Sequence, residues 1–358
     1  MPLWLLSLIL LIALALWLLP GIIFVRRDQW AIWRVPCKRR MQTAAVATLY
    51  GCFALPVLFI GVAALYRVNW WWIVPYVVYL LSDRRSTYGN WRSHWFRSLS
   101  WWKHCRDYWP VELKRQDPSV PLKKDRPYLV GVHPHGPLLP ISMVNFFTEA
   151  THITDVFQGT RISPTTLNAI FMLPVFREIV LLCGAVSVAQ KCIESVLRKG
   201  GGHGVSIYVG GAREASQTSD RYTVLVYRRK GFFRLALRYG VYLFPAFTFG
   251  ENYIYRYRTP KTGTMYYRIN ELAMRWVGYA VPFLVGRGIF QKSFGLLPQR
   301  HRLVTIIGNP IECPQTDNPT EEQIKHYQDL YVAGLKQVFE QFKDSYDPEG
   351  KAKELAVG

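Results

Sequence analysis

Long apolar runs dominate the first eighty or so residues, whereas shorter apolar runs alternate with polar stretches in the rest of the chain. The uncharged runs predict membrane spans over about 3–25, 44–66 and 68–81, the last too short to cross comfortably as a straight helix. The last two runs fit a tight hairpin, or one span followed by a buried core element. The first run fits an anchor better than a signal peptide, because no basic residue precedes it. Residues 1–82 are therefore predicted to form a membrane region.

The next stretch, residues 83–126, changes character. Aromatic and leucine side chains recur there at helical spacing, at Trp91, Trp95, Leu99 and Trp102. Basic residues fall between them, which predicts an amphipathic helix in the membrane interface. Aromatic packing in a protein core is the alternative that this pattern leaves open.

From residue 127 to 346 the pattern is that of a globular α/β domain, followed by a tail at 347–358. Apolar runs bounded by Gly and Pro predict strands at 128–132, 205–209, 241–249 and 303–307. Helical spacing predicts helices at 141–150, 190–199 and 230–238. A capping box, Thr320-Glu-Glu-Gln323, predicts the start of a long last helix.

Two histidines follow the first of these strands. His133 and His135 flank Pro134, so extended geometry points both imidazoles to one side. Open α/β sheets bind ligands at the carboxyl ends of their strands, where imidazole suits acid and base chemistry. A metal site lacks further ligands at suitable spacing, and surface-loop histidines without a catalytic role are the remaining alternative.

The net charge indicates which partners the protein binds, and the cysteine spacing indicates the redox state of its thiols. Lys and Arg outnumber Asp and Glu by 44 to 24, a formal net charge of +20. We therefore expect anionic partners, namely a membrane face or a phosphorylated co-substrate, and no nucleic acid, because the hydrophobic spans already explain the charge. The six cysteines contain no C-x-x-C pair, which predicts reduced thiols.

Motifs for a covalent nucleophile or a nucleotide cofactor do not occur in the sequence: it has no G-x-S-x-G, Walker or G-x-G-x-x-G motif. A base without a nucleophile of its own suits direct transfer of an activated acyl group to a hydroxyl. Gly210 and Gly211 either offer backbone amides to an oxyanion or a phosphate, or form a tight turn. Arg161, Arg177 and Arg213 either hold an anionic co-substrate or are solvated surface charges.

An ordered set of motifs resembles the type-two diacylglycerol acyltransferase family, which also includes monoacylglycerol and wax-alcohol acyltransferases. The resemblance extends from about Val68 to about Tyr346. The motifs are His133-Pro-His-Gly136, Pro174-Val-Phe-Arg-Glu178, Tyr208-Val-Gly-Gly-Ala-Arg-Glu214, Arg229-Lys-Gly-Phe-Phe-Arg-Leu-Ala-Leu-Arg238, Phe249-Gly-Glu-Asn252 and Phe294-Gly-Leu-Leu-Pro298.

The resemblance implies a multi-pass protein of the endoplasmic reticulum membrane, with a cytosolic catalytic domain that also reaches lipid droplets. It implies a glycerolphosphate-acyltransferase-like mixed sheet with flanking helices. In that wider group an acid follows the histidine by five residues, but here Leu138 and Pro140 occupy the corresponding positions. Glu178 and Glu214 are therefore the candidate orienting acids.

These inferences predict an acyl-CoA-dependent O-acyltransferase that makes triacylglycerol from diacylglycerol. His135 is the expected general base, His133 orients it or the thioester, and Gly210, Gly211 and Arg213 shape the acyl-CoA site. Acyl-CoA is expected as co-substrate, with no bound cofactor and no metal. Monoacylglycerol and long-chain alcohol are alternative acceptors, a non-catalytic lipid-droplet or membrane-shaping protein is the other class, and a homo-oligomer is an open prediction.

Overall fold

A mixed eight-stranded sheet forms the centre of the computed structural model. The model describes residues 35–52, 70–136, 140–211, 214, 222–258, 263–277, 283–289, 295, 297–347 and 354–358. The sheet has the order β1-β10-β7-β2-β5-β3-β4, and β11 pairs with β7. All neighbours along this path are parallel except β10 and β7, which are antiparallel. Two small two-stranded sheets, β6 with β12 and β8 with β9, lie outside it.

The bounds of the strands follow the chain order. They are β1 Val111–Arg115, β2 Tyr128–His133, β3 Arg161–Thr166, β4 Val186–Ser187, β5 His203–Tyr208, β6 Thr223–Val224, β7 Tyr242–Phe249, β8 Arg256–Arg258, β9 Phe283–Val285, β10 Leu303–Ile307, β11 Ile311–Glu312 and β12 Ala356–Val357.

The described helices are numbered in the same way, and two 3-10 helices are given by their residues alone. They are α1 Cys37–Gly51, α2 Trp70–Ser82, α3 Arg85–Tyr88, α4 His94–Arg97, α5 Ser100–Tyr108, α6 Pro140–Asn145, α7 Ile153–Val156, α8 Phe176–Leu182, α9 Gln190–Leu197, α10 Lys230–Arg238, α11 Met265–Val277, α12 Glu321–Tyr346, and the 3-10 helices Asn168–Met172 and Glu251–Tyr253.

Helices cover both faces of the sheet, because its central strands are apolar on both sides. Every residue of β2 and β7 is buried. One core cluster joins the sheet to α1, α5, α6 and α8. The other joins it to α9, α10 and α12, which contributes Tyr331, Leu335 and Phe339. The result is a layered α/β domain, as the alternation of strands and helices predicts.

Several predicted elements are confirmed at or near their expected bounds. The strand at 303–307 and the helix at 230–238 match β10 and α10. The capping box is formed, since the Thr320 hydroxyl accepts from the Gln323 amide and the Thr320 amide donates to the Gln323 side chain. The helix predicted at 141–150 is shorter, because α6 ends at Asn145.

Paired strands occur on both sides of the predicted domain limits of 127–346. β1 lies in the segment predicted as interfacial, and it pairs with β10 from Val111 to Arg115. The predicted tail contributes β12, which pairs with β6. Both ends are therefore part of the folded domain, because each completes a row of backbone hydrogen bonds.

The segment 83–126, in which an amphipathic interfacial helix is predicted, contains α3, α4, α5 and β1. Its tryptophans divide between two environments: Trp102 and Trp109 are buried, whereas the side chain of Trp95 is 73% exposed. Core packing therefore explains part of the aromatic pattern, and the single amphipathic helix is not formed.

The predicted membrane region is described only in part. The span at 3–25 and residues 53–66 lie outside the described residues. Residues 44–51 end α1, whose Ala45 and Val46 are buried in the domain core. The run at 68–81 corresponds to α2, which contains Pro75. None of the helices that the structure describes is both long and apolar enough to cross a membrane.

Candidate active site

Three neighbouring parallel strands bring the predicted chemistry to one edge of the sheet. β2 lies between β5 and β7 and runs parallel to both. His133 is the last residue of β2, and His135 follows in the turn. The segment after β5 contains Glu214, and the 3-10 helix after β7 begins at Glu251. Because parallel strands end at the same edge, the two histidines and both acids converge there.

The ring of His135 is fixed by its own turn. Its Nδ1 lies 2.8 Å from the carbonyl oxygen of Gly136. Since a carbonyl only accepts, Nδ1 bears the proton, and the neutral ring has its lone pair on Nε2. Burial is the main cause that lowers the pKa of His135, which is only 8% exposed. At neutral pH this histidine is therefore poised as a base.

His133 is completely buried and is contacted at both ring nitrogens. Its Nε2 lies 3.2 Å from the hydroxyl of Tyr331, which donates its own proton to the carbonyl of Gly131 at 2.9 Å. The tyrosine oxygen therefore accepts from Nε2–H. Nδ1 faces Glu214 at 3.6 Å, longer than a hydrogen bond. His133 is thus held between α12 and the acid, with no exposed ring atom.

Glu214 is a buried carboxylate that organises the turn. It accepts from the backbone amide of His135 at 2.6 Å and from that of Leu225 at 2.8 Å. Burial raises the pKa of Glu214, but the neighbouring His133, the Leu225 amide and His135 outweigh it, so the pKa is lowered overall. The acid is therefore ionised at neutral pH and fixes the backbone of the catalytic turn.

Gly210 makes room for that carboxylate. A Cβ at Gly210 would lie 1.9 Å from Oε2 of Glu214, far inside van der Waals contact. The Gly210 carbonyl accepts from the Arg229 guanidinium at 2.5 Å. The glycine is therefore explained by the approach of Glu214, and the adjoining Gly211 has a φ of 62°, which favours glycine.

A family model described as diacylglycerol acyltransferase matches residues 63–356 of this chain. The chain belongs to the diacylglycerol acyltransferase family. Members of this family are acyltransferases, so the protein is an enzyme of that class. The match includes all of the strand ends described above.

Curated relatives agree with that membership. The chain is 35% identical to a diacylglycerol O-acyltransferase 2 of Dictyostelium discoideum over 317 residues, covering 87% of this chain and 94% of the relative. It is also 35% identical to a 2-acylglycerol O-acyltransferase 1 of Bos taurus over 324 residues, covering 89% and 96%. A diacylglycerol O-acyltransferase 2B of Umbelopsis ramanniana is 34% identical, with 90% and 93% covered.

A solved structure of a 1-acyl-sn-glycerophosphate acyltransferase from Thermotoga maritima overlaps 81% of this chain and 95% of its own. The two are 13% identical, with a TM-score of 0.36. That score does not define a shared fold. The α/β mixed sheet of this family member follows from its own strand pairing, and the glycerolphosphate-acyltransferase-like fold stays a prediction.

The structure separates the residues predicted to bind acyl-CoA. Arg161 is the exposed first residue of β3. It lies at the amino-terminal ends of the parallel strands, whereas the histidines lie at their carboxyl ends. Arg177 is buried and forms an ion pair with Asp83. Arg213 lies outside the described residues. Of the predicted residues, the site at the strand ends gathers His133, His135, Glu214 and the two glycines.

Glu178, the other predicted orienting acid, contacts α2. Its carboxylate accepts from the hydroxyl of Tyr76 at 3.3 Å, and Arg177 lies 3.6 Å from it. The guanidinium of Arg177 also lies over the ring of Tyr79. Arg177 and Glu178 therefore attach α2 to the domain in this family member, and Glu214 is the predicted acid that meets the histidines.

Two residues of the site are absent from the sequence-based prediction. Tyr331 lies in the long last helix that the capping box predicts, and the sequence pattern assigns it no role in the site. Glu251 lies in the Phe249-Gly-Glu-Asn252 motif, which contributed to the resemblance without a role. Glu251 is 1% exposed, which its charged residue type did not predict.

Proposed function

We propose that this protein transfers a fatty acyl group from acyl-CoA to the free hydroxyl of diacylglycerol, with His135 as general base. The observation that supports this most directly is the contact between His135 Nδ1 and the Gly136 carbonyl. It places the lone pair on Nε2, the nitrogen that can accept a proton.

The proposed reaction needs no covalent enzyme intermediate. Nε2 of His135 removes the hydroxyl proton while the acceptor oxygen attacks the thioester carbonyl carbon. The tetrahedral intermediate collapses, the carbon–sulfur bond breaks, and the thiolate takes the proton from His135. The products are triacylglycerol and free CoA, with the histidine restored to its neutral form.

The neighbouring groups position this base. Glu214 holds the backbone of His135 through a 2.6 Å hydrogen bond. His133 lies between Glu214 and Tyr331 and supports the start of the same turn. Since general bases must lie within hydrogen-bond reach of the proton they remove, a fixed turn favours transfer.

We place the reaction at the endoplasmic reticulum membrane, with the lipid-droplet surface as an extension of that site. Tyr76 on one side of α2 and Asp83, the residue that follows the helix, bond to Glu178 and Arg177 of the domain. The outer side of α2 exposes apolar side chains at helical spacing: Trp71, Val74, Val78 and Leu81. If this apolar side of α2 contacts the bilayer, a lipid acceptor dissolved in the bilayer would reach the enzyme from that side.

A second helix supports membrane association. Three apolar residues of α11 that lie one helical turn apart are exposed: Met265 is 79% exposed, Ile269 54% and Leu272 60%. Arg268 and Arg275 are exposed on the same helix. Apolar and basic side chains on one exposed helix suit an anionic membrane surface.

2-Acylglycerol is the second candidate acceptor. The relatives named 2-acylglycerol O-acyltransferase 1, from Bos taurus and Mus musculus, are 35% and 36% identical to this chain. Those values match the diacylglycerol enzymes, so identity alone does not separate the acceptors. The chemistry at His135 would be the same for both.

Acyl transfer in membranes that contain the protein tests the proposal. Labelled oleoyl-CoA is supplied with diacylglycerol, 2-acylglycerol or a long-chain alcohol. We expect triacylglycerol as the main product, and a loss of about 10²-fold or more in His135→Ala, as for removal of a general base. His326→Ala is the matched control, because His326 is exposed on α12.

If another ester is the dominant product, the assigned acceptor changes, but the proposed role of His135 stands. A His135→Ala enzyme within a few-fold of wild type would overturn the base assignment. Absence of any acylated product from correctly inserted protein would overturn the enzymatic proposal.

A further inference from the structure

Glu251 lies directly against the turn that contains His135. A Cβ built on Gly136 would lie 1.9 Å from Oε1 of Glu251 and 2.3 Å from its carboxyl carbon. The carboxyl group therefore occupies the space where any other residue at position 136 would place its side chain. Gly136 also has a φ of 59°, and its carbonyl is the group that fixes the His135 ring.

The surroundings of Glu251 do not favour a second negative charge. Its side chain is 1% exposed, and Glu214 provides a buried carboxylate at the same edge of the sheet. Two carboxyl groups that share a buried site do not both ionise readily. Consistent with this, burial and then the charge of Glu214 raise the pKa of Glu251 well above its usual range.

We propose that Glu251 is a positioning residue for the acyl transfer and acts as a neutral carboxylic acid. It packs against Gly136 and so fixes the carbonyl group that orients the His135 ring. This inference rests on the proposed function of His135. It gives the Phe249-Gly-Glu-Asn252 motif a role at the reaction site.

The neutral form matters because of its effect on the base. A negative charge beside an imidazole favours the imidazolium, which has no lone pair to accept a proton. Glu214 already raises the pKa of His135, although burial lowers it more. A second carboxylate would shift that balance towards the protonated ring. A neutral acid fills the same space and leaves the base free.

Other titratable groups face these residues from each neighbouring element. Tyr208 at the end of β5 and Tyr222 before β6 both interact with Glu251, and burial keeps both phenols neutral. His135 also interacts with His133 and Arg229. Arg229 disfavours the imidazolium, so it acts in the same direction as a neutral Glu251.

Two substitutions separate the space-filling role from the charge. Glu251→Gln keeps both the shape and the neutrality of the side chain, whereas Glu251→Ala is also neutral but leaves the space beside Gly136 empty. We expect Glu251→Ala to lower kcat by about 10²-fold, as expected for a misplaced catalytic group. Glu251→Gln should retain kcat within about fivefold, with KM for acyl-CoA nearly constant in both. Glu321→Ala is the surface control, because Glu321 is exposed on α12.

The pH profile distinguishes a neutral from an ionised acid. If Glu251 is neutral, the acid limb of kcat/KM in Glu251→Gln coincides with that of wild type. If it is ionised, removing its charge lowers the pKa of His135 and moves the limb to lower pH, by about one unit. That shift, or a loss in Glu251→Gln as large as in Glu251→Ala, would overturn the proposal.

An infrared measurement tests the same inference without any acyl transfer. The difference spectrum between wild type and Glu251→Gln at neutral pH should contain the carbonyl stretch of one protonated carboxyl group. A carboxylate band in its place would refute the neutral acid, whatever the activity. Conversely, if the band of the protonated acid is present but the protein makes no ester, the inference that Glu251 is neutral stands and the proposed function is refuted. Thermal unfolding of each variant confirms that it is folded.

Discussion

Gly210→Ala should disable the enzyme through Glu214. The backbone at Gly210 does not lie in the left-handed region, so alanine fits the local conformation. The new methyl group, however, would lie 1.9 Å from Oε2 and 2.6 Å from Cβ of Glu214. Because Cβ is fixed to the backbone, rotation of the carboxylate alone cannot relieve the collision. The side chain or its backbone must move.

The size of the effect follows from the contacts of Glu214. Its carboxylate accepts hydrogen bonds from the amides of His135 and Leu225. Hydrogen bonds to a charged group contribute about 1.5–3 kcal/mol each, so losing both costs about 3–6 kcal/mol. The turn that contains His135 loses its anchor at the same time. A displacement of about 1 Å there would lower the rate by about 10²-fold.

The assay combines thermal unfolding with triacylglycerol synthesis in membranes. Gly231→Ala is the matched control, because Gly231 lies exposed in α10 with no atom near its Cβ position. Alanine there should stabilise the protein by about 0.5–1 kcal/mol with normal activity. Wild-type stability and activity in Gly210→Ala would refute the role given to Glu214.

Three further predictions concern other parts of the molecule. The acid limb of kcat/KM should lie below pH 6.5, since burial lowers the pKa of His135. Lowering the pH destabilises the fold through His135, because the unfolded chain binds that proton first, whereas the raised pKa of Glu251 has the opposite effect on stability. In Glu251→Gln, which removes the opposing group, the unfolding temperature should therefore fall as pH drops from about 7 to 5. The double variant Val78→Asp/Leu81→Asp should lower the fraction of protein that floats with lipid vesicles several-fold, because both side chains lie on the exposed face of α2; unchanged flotation would show that this face does not bind the membrane. Leu355→Asp should destabilise the fold by about 2 kcal/mol or more, whereas Ala356→Asp should not, because Leu355 is buried and Ala356 is exposed; equal unfolding temperatures for the two variants would contradict the packing of Leu355 in the core.

Local patterns predicted the centre of the fold well. The strand before His133 and the helix Lys230–Arg238 follow from hydrophobic spacing and from Gly and Pro boundaries. The edge at which the histidines meet Glu214 follows from the parallel arrangement of strands. These features depend on residues close together in sequence or on a general rule of sheet geometry.

Features that depend on distant pairing could not be read in the same way. β1 consists of only Val111–Arg115 and is a strand because β10 lies beside it. Arg177 and Glu178 resembled site residues by motif, but they contact Asp83 and Tyr76, in and just after α2, about a hundred residues earlier in the chain. Charge at a given position does not specify its partner, so sequence alone could not separate anchoring from catalysis.

The two acids also show that the motifs of this chain depend on one another. Gly210 and Glu214 belong to one motif, and the glycine is required because the acid fills its side-chain space. Gly136 and Glu251 repeat that relationship across two motifs more than a hundred residues apart. A side chain at position 136 would collide with Glu251 even if β2 and its turn were otherwise unchanged. The glycine that ends His133-Pro-His-Gly136 is therefore required by Glu251, in the 3-10 helix after β7, as well as by its own φ. A substitution at either position should be judged with its partner, because the geometry of His135 depends on both.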